Sequence, residues 1–449
     1  MGSNIGSNLP ISASAPIRAN EIAYNLFSAN LVSADPTGVN DSTSAFNAAA
    51  ASLASGGAVI VPPGTYKLGG VTIVNGVYFI GQGIGITFIT TTGSNPAFKT
   101  INSNAITSGG IIGFDAQGNA STDTAFDATV DFIDVSLSGT VQNFFVQNNR
   151  IYRWRNGWSG SLNDINPIFG ANQFSCNNKG IFVYNNHPEF SGTNFFDGNN
   201  YGVTSVGTTG GGMYDMEMVG QRFYGGNYGV TDGGHCSITG CEFSGQHQVG
   251  VIVGVGCAVT GCQFTTDSAA ACVIGVKILR VGAKVSGNMF NSHGLPWTDA
   301  AISINMTSGG YGVTIENNRF GDGPDIGHCI VQETGSNDMT TSKISGNVAT
   351  IYAATSRFLW LKANALLCHF KDNNIDATQT TSTVDIMSMT NYMTGNIISG
   401  NTIFKNGSTY AINSGVASSY VAGNISWGGT HFNWTGADVN TVNVNNISV

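Results

Sequence analysis

The feature that most constrains what this chain can fold into is a short motif that returns every 20 to 30 residues. A small residue or Gly is followed by two residues and then an apolar one. "SGTNF" ends at Phe195, "VGQRF" at Phe223, "TGCEF" at Phe243, "TGCQF" at Phe264, "SGNMF" at Phe290 and "ENNRF" at Phe320. Weaker copies end at Ala349, Ile375, Ile403 and Ser426, so successive ends are separated by 28, 20, 21, 26, 30, 29, 26, 28 and 23 residues. Helical repeats need about ten or more consecutive residues of helical periodicity, whereas these units are short alternating runs broken by Gly and Asn. A propeller blade takes about 40 residues. A unit of this length fits one coil of a parallel β-helix, in which each strand pairs with its equivalent in the next coil about 4.8 Å away. The expected fold class is therefore all-β, a solenoid.

The residue two before each end tests that expectation. It is Cys241 and Cys262, then Asn288, Asn318, Asn347, Asn373, Asn401 and Asn424 in six consecutive units. Asn tolerates the left-handed backbone and hydrogen-bonds neighbouring amides, so a column of Asn at one corner satisfies the turn amides of coil after coil. Cys in the same column implies that it points inward.

Composition supports the same class and excludes others. Only 10% of the 449 residues are charged, while Gly supplies 61 and Pro 10, which is wrong for long helices with charged outer faces. A hydrophobic fraction of 41%, with 25 Phe, 14 Tyr and 6 Trp, excludes disorder. The net charge of -9 argues against nucleic acid as a partner and weighs against a strongly anionic ligand. No apolar run reaches the roughly 20 residues of a bilayer span, so membrane insertion is not expected, and "MGSNIGSNLPISASAPIRANE" carries no secretory signal. Cys236 and Cys241 recur 21 residues later as Cys257 and Cys262. That spacing is poor for zinc, so the cysteines read as small buried hydrophobes, and no metal or cofactor is expected.

The N-terminal third adds one helix. In "NDSTSAFNAAAASLASGG", Asn40 or Asp41 is the N-cap, Phe46, Ala49, Ala50 and Leu53 share a face, and Gly56-Gly57 ends it, a helical cap over residues 41–55. A helix there covers the open end of a β-helix, which would otherwise expose unpaired strand edges. Coils are expected from about residue 58 to about 427, with 1–34 an N-terminal extension and 428–449 a C-terminal segment. "DPTGVNDSTSAF", "GGAVIVPPGTYKL" and "GQG", within residues 35–83, resemble the opening of the right-handed parallel β-helix, pectate-lyase-like superfamily, in particular its phage tailspike and polysaccharide depolymerase members. Where relatives often have two Asp before the helix, this chain has Asn40 and Asp41. The resemblance implies a right-handed parallel β-helix, a homotrimer, a bacterial surface polysaccharide as partner, and a place in the virion, at the phage tail, acting outside the cell. A secreted enzyme is the alternative. It does not imply a reaction, because lyases, hydrolases, epimerases and non-catalytic members share this fold.

Acid spacing supplies the candidate chemistry. Counting back from the Phe ends, Glu217 lies six before Phe223 and Glu189 six before Phe195, while Asp215, His187 and His235 each lie eight before theirs. One outer patch would gather His187, Glu189, Asp215, Glu217 and His235. Residues i and i+2 of a strand point to one face about 6.5–7 Å apart, so Met216 would face the core and both acids the solvent. Glycoside hydrolysis uses two carboxyls about 5–5.5 Å apart for retention or about 6.5–9.5 Å for inversion. Close like charges raise one carboxyl pKa, keeping one acid protonated beside an ionised one. Asp215, Glu217 and Glu189 are therefore the expected catalytic acids, against the plainer reading that they are solvated groups on an outer face. For substrate binding, "RIYRWRNGW" offers Arg153, Trp154, Arg155 and Trp158, with Tyr214, His187 and His235 beside the acids. The plainer reading there is a packed loop or a subunit contact.

Other features refine the reading. Arg222 and Glu242 share a column and read as a surface ion pair, and Asp322 and Asp325 as turn residues. A uronate lyase needs a base and something to neutralise the substrate carboxylate, often Ca²⁺; no compact Asp cluster matches such a calcium site, which disfavours a lyase, while nearby Lys284 and Arg280 keep it from being excluded. "RFLWLKANALLCHF", Arg357 to Phe370, does not alternate, which suggests strands covered on both faces by a loop or another subunit. The expected function is binding and hydrolysis of a bacterial surface polysaccharide; the alternative is a non-catalytic carbohydrate-binding or receptor-binding fibre.

Overall fold

The computed structural model describes residues 28–449 except 30, 54, 94, 102–104, 123–124, 137–139, 161–165, 184–187, 206–215, 232–233, 267–271, 293–296, 307–309, 322–326, 390–392, 408, 416–417, 429 and 436–441. Two compact units, residues 1–206 and 207–449, divide the chain. Each is a stack of β-helix coils built from three short strands. In the first unit one coil is Phe144–Gln147, Arg150–Tyr152 and Asn156–Ser159, and the next is Ile168–Gly170, Gln173–Ser175 and Lys179–Val183, paired strand by strand in parallel. In the second unit Cys236–Thr239, Glu242–Ser244 and Val249–Val253 pair in the same way with Ala258–Thr260, Gln263–Thr265 and Ile274–Ile278. Repetition of these three positions makes three sheets, here called first, second and third in chain order.

The motif ends fall in one column of the second sheet, as the spacing requires. Phe223, Phe243, Phe264, Phe290 and Phe320 pair in succession, followed by Ala349, Ile375, Ile403 and Ser426. The five rings stack 4.8–5.1 Å apart with planes within 10° of parallel. In the first unit the expected register is off by one: Phe196, not Phe195, pairs with Phe174 and stacks on it at 5.2 Å. Two adjacent Phe made the sequence ambiguous, and burial decides it, since Phe196 is buried and Phe195 half-buried. Glycines at the entry to the third sheet make room for this ladder. A Cβ on Gly250 would stand 2.7 Å from the Gly275 carbonyl oxygen and 3.1 Å from the Phe264 ring, and Gly229 faces Phe243 in the same way.

The Asn column points inward, as expected. Each Oδ1 accepts the backbone N–H of the equivalent residue one coil earlier, from Asn288 to Asn318 (3.0 Å) through to Asn401 to Asn424 (3.2 Å), and each Nδ2 donates to a carbonyl of the preceding coil. Asn149, Asn172 and Asn194 repeat the pattern in the first unit. Cys262 takes the Asn role less well: its Sγ accepts Cys241 N–H at 3.4 Å and donates to Ile238 O at 3.5 Å. Cys236, Cys241, Cys257 and Cys262 are all buried, as read from the sequence.

Helix α1 spans Thr43–Ala51 and buries Ala45, Phe46, Ala49 and Ala50, with Leu53 buried just beyond. Ser42, not Asn40 or Asp41, occupies the N-cap position, but its hydroxyl accepts the Asp35 N–H at 2.9 Å and makes no cap hydrogen bond to the helix. Asp41 still caps, accepting the Thr43 N–H at 2.8 Å. Asp35 accepts from Thr37 and Asn40, and the Thr37 hydroxyl foremost holds its pKa far below the usual carboxylate range. At the other end, coil pairing continues past residue 427: Tyr410 pairs with Thr430, Tyr420 with Val442 and Ile425 with Ile447. No helix among the described residues is long and apolar enough to cross a membrane. The run Arg357 to Phe370 fails to alternate because it crosses three strands, Arg357–Leu361, Ala365–Leu366 and His369–Lys371, the middle one belonging to a small fourth sheet; Phe358, Leu359, Leu361, Ala365 and Phe370 are all core.

Candidate active site

Three of the ten expected site residues, His187, Tyr214 and Asp215, lie outside the described residues, as do Asp322 and Asp325. Strand Met216–Val219 buries Met216 and Met218 and exposes Glu217, the alternation expected. Glu217 pairs with Ser237, and exposed His235 stands two residues before that partner. Exposed Glu189 opens strand Glu189–Ser191 in the first unit, whereas Glu217 belongs to the second. Arg222 lies 3.5 Å from Glu242, the surface pair expected. Lys284 is 3.2 Å from Glu316, which Lys343 also holds, so that lysine is engaged in an ion-pair network.

The "RIYRWRNGW" segment does not form a sugar-binding surface of the kind its composition suggests. Trp154 and Trp158 are fully buried. Trp154 packs on Phe132 and its Nε1 donates to Ala116 O at 3.1 Å, while Trp158 packs between Phe144 and Phe169. Both indoles are core, because inward positions of these wide coils require large side chains, and neither can touch a ligand. Arg155 makes two hydrogen bonds to buried Asp131, at 2.8 and 2.6 Å, and Arg150 pairs with buried Asp115. Burial raises the Asp131 pKa despite that partner. Arg153 is half-buried, with its guanidinium 5.6 Å from the Tyr152 ring.

A constellation that sequence reasoning missed lies on the outer side of the third sheet in the second unit. Lys277, Ser303, Val331 and Trp360 share one register column on strands Ile274–Ile278, Ala300–Ile304, His328–Gln332 and Arg357–Leu361. Val276, Ile302, Ile330 and Leu359 beside them are inward and buried, so the column lies on the opposite side of the sheet, where Ser303 and Val331 are also fully buried. Asp299 directly precedes the second of these strands, Glu333 directly follows the third and Lys362 the fourth. Ser303 Oγ donates to Glu333 Oε1 at 2.9 Å, and Lys362 Nζ lies 3.5 Å from Glu333 Oε2. Burial first, then the Glu333 charge, raises the Asp299 pKa, against the pull of Lys362 and Lys277.

Trp360 anchors the other half of the cluster. The Arg357 guanidinium carbon is 4.4 Å and Lys362 Nζ 4.3 Å from its ring centroid, and the His328 ring meets it edge-on at 5.1 Å. Two cations on one indole are held by the ring's negative faces. His328 Nδ1 accepts the Arg357 N–H at 3.1 Å, and burial, then Arg357 and Lys362, push its pKa down to about 4, so the imidazole is neutral near pH 7. Trp360 is half-buried, with these three side chains packed on its ring. Chemically, burial favours the protonated form of Asp299, and Glu333, contacted by Lys362 and Ser303, supplies a second carboxyl on the same sheet.

A parallel β-helix with an inward Asn ladder, a helix over its first coils and an outward carboxyl pair belongs to a class that acts on or binds glycans across many members. The chain belongs to the rhamnogalacturonase A/epimerase, pectate-lyase-like family, whose profile matches residues 27–263. The right-handed β-helix implied by the opening motif is the fold of that family. No curated protein matches the chain. Among solved structures it is similar to tailspike protein 3 of bacteriophage CBA120, at 13% identity and a TM-score of 0.56, covering 81% of this chain and 59% of that one. It is also similar to a mutant tailspike of the E. coli bacteriophage HK620 in complex with a pentasaccharide, at 14% identity and a TM-score of 0.52, covering 92% and 75%. At such identities the likeness is one of fold, and the chain spans under two thirds of the CBA120 tailspike's length.

Proposed function

We propose that this protein binds and cleaves a polysaccharide by hydrolysis, with Asp299 as proton donor and Glu333 as its partner base or nucleophile. The observation that carries the reading is the raised pKa of Asp299, caused first by burial and then by the Glu333 charge, with Glu333 itself contacted by Lys362 and Ser303. In this reaction Asp299 gives its proton to the glycosidic oxygen as the bond to the anomeric carbon breaks, and water or Glu333 forms the new bond there. Membership of a family named for a glycan hydrolase and an epimerase supports the reaction class.

The finer reading is a tailspike-like depolymerase, assembled as a homotrimer on a virion and acting on a capsule or O-antigen; the tailspike folds support it. A second reading, elimination or epimerisation at a uronate, is favoured by Lys277, Lys362 and Arg357 around the pair, which could neutralise a sugar carboxylate. The test is product formation from capsular and O-antigen polysaccharides by wild type, Asp299→Asn, Glu333→Gln, Glu189→Gln, Asp215→Asn and Glu217→Gln. New reducing ends lost in the first two variants only would support the proposal. Loss confined to the last three would move the chemistry to Glu189, Asp215 and Glu217. Products absorbing as unsaturated uronates would replace hydrolysis by elimination, and binding without products would make the chain a receptor-binding fibre.

A further inference from the structure

We propose that Cys241 and Cys262 form an oxidation site, at which a hydroperoxide joins the two thiols into a disulfide between neighbouring coils of the second unit. The site is independent of the carboxyl pair and of any glycan chemistry there.

Register places the two residues side by side. Thr239 pairs with Thr260 and Glu242 with Gln263, so Cys241 and Cys262, between those pairs, face each other across adjacent coils. Neighbouring parallel strands lie about 4.8 Å apart, inside the range of about 4.4–6.8 Å that the Cα atoms of a disulfide span. Both side chains are buried, and Cys262 Sγ accepts the Cys241 N–H at 3.4 Å, which sets that sulfur against its partner residue. The Cβ atoms of a disulfide lie about 3.5–4.5 Å apart, so the coils must draw together by less than about 1 Å. Gly240 and Gly261, each at positive φ, precede the two cysteines, and a Cβ on either would meet nothing within 4 Å, so the corner has room for that move.

The later positions of this column, from Asn288 to Asn424, carry an amide that both accepts from one coil and donates to another. The two cysteines give up that ladder for sulfur contacts of 3.4–3.7 Å. A small buried hydrophobe needs no partner of its own kind, whereas a disulfide needs two sulfurs on adjacent coils. Cys236 and Cys257 repeat the spacing five residues earlier, but there the Cys257 thiol is engaged by the Gly234 carbonyl.

The Cys241 side chain first, then backbone N–H groups, hold the Cys262 pKa below the usual thiol value against its burial, which makes Cys262 the sulfur that reacts first. Its thiolate attacks a peroxide oxygen, the O–O bond breaks, and hydroxide leaves as a sulfenic acid forms. The Cys241 sulfur then attacks the sulfenic sulfur, and the departing hydroxyl takes the Cys241 proton away as water. Two thiols are thereby oxidised, and one hydrogen peroxide is reduced to two waters. Only a small oxidant fits, because the residues are 1% and 2% exposed.

The experiment treats the intact native chain with hydrogen peroxide, at a dose and time that fully oxidise free glutathione in a parallel tube. Remaining thiols are alkylated in urea, and the products of chymotrypsin, which cuts after Phe243 and Phe264, are sequenced by mass spectrometry. The expected result is a fall from eight thiols to six, with Cys241 joined to Cys262 and with Cys236 and Cys257 alkylated. Dithiothreitol should restore all eight. The linked form should unfold at higher urea than the reduced form, since a cross-link restricts the unfolded ensemble. Cys262→Asn, which keeps the ladder position filled, should retain its seven thiols under the same treatment. Eight thiols left in wild type, a sulfinic acid at Cys262 without a cross-link, or a link between another pair overturns the inference, and each is read on wild type alone. A link that forms only when urea accompanies the peroxide overturns it too, because the native coils would not then bring the sulfurs together.

Discussion

Asn347→Ala is the substitution whose cost the coil architecture fixes most tightly. Asn347 is fully buried. Its Oδ1 accepts the Asn318 N–H at 3.0 Å and Asn318 Nδ2 at 3.1 Å, and its Nδ2 donates to Ile315 O at 3.1 Å and Asn373 Oδ1 at 3.0 Å. Removing the amide strands two buried backbone groups, the Asn318 N–H and the Ile315 carbonyl. Asn318 Nδ2 keeps Val285 O and the Asn347 N–H keeps Asn373 Oδ1. At about 1–3 kcal/mol for each orphaned group, the loss should be about 2–6 kcal/mol, with no apolar gain to offset it. Asn347→Asp keeps the shape and the acceptor but turns an oxygen toward two oxygens, so its carboxyl must stay protonated to donate. The folded-state pKa of that aspartate is then raised, and its stabilising contribution is present at low pH and lost as pH rises through the raised value. Urea unfolding midpoints of wild type and both variants, followed by circular dichroism at two pH values, test this. A loss below about 1 kcal/mol for Asn347→Ala, or an Asp variant insensitive to pH, would refute the claim that the ladder bonds rather than the strand pairs hold this corner.

Three further outcomes follow from particular contacts. Lys405 is buried, its Nζ donating to Thr409 Oγ1 at 3.2 Å, and burial pushes its pKa from 10.5 down to about 8. The native state then binds fewer protons than the unfolded chain between those values, so stability should rise with pH across that window, by up to about 3 kcal/mol, and Lys405→Met should flatten the rise in a melting-temperature profile. Cys262→Asn should extend the amide ladder, replacing bonds of 3.4 and 3.5 Å to sulfur by amide bonds, and raise stability by about 1 kcal/mol in urea titration. Gly250→Ala should cost about 1–3 kcal/mol, because its Cβ meets the Gly275 carbonyl at 2.7 Å, and Phe264→Leu should not rescue it, since that contact is backbone.

The repeat, and with it the coil, was legible in the sequence because the second sheet and the corner before it accept few side chains. Only a ring stacks on a ring at about 5 Å, and only Asn both accepts and donates at that corner, so Phe223 to Phe320 and Asn288 to Asn424 repeat at a fixed offset. A one-residue ambiguity such as Phe195 and Phe196 shifts a column count, and only inward burial resolves it. The two tryptophans of the aromatic run looked like ligand contacts because side-chain type does not say which face it occupies. Burial of Trp154 and Trp158 does.

The Asp299, Glu333, Trp360 and Arg357 site was hidden for a different reason. It lies on the third sheet, after a corner of variable length: the count from the Phe column to the inward third-sheet residue is 7 from Phe223 to Val230, 8 from Phe243 to Val251, 12 from Phe290 to Ile302 and 10 from Phe320 to Ile330. A register carried forward from the motif is lost in that corner, so residues 34 apart in the chain, Asp299 and Glu333, give no local sign that the charge of one acts on the other. By itself the sequence determined the coil, its ladders and its capping helix, because those are nearest-neighbour contacts repeated at short range. Tertiary structure alone decided which polar side chains meet, because that depends on how each variable corner sets the third sheet against the other two.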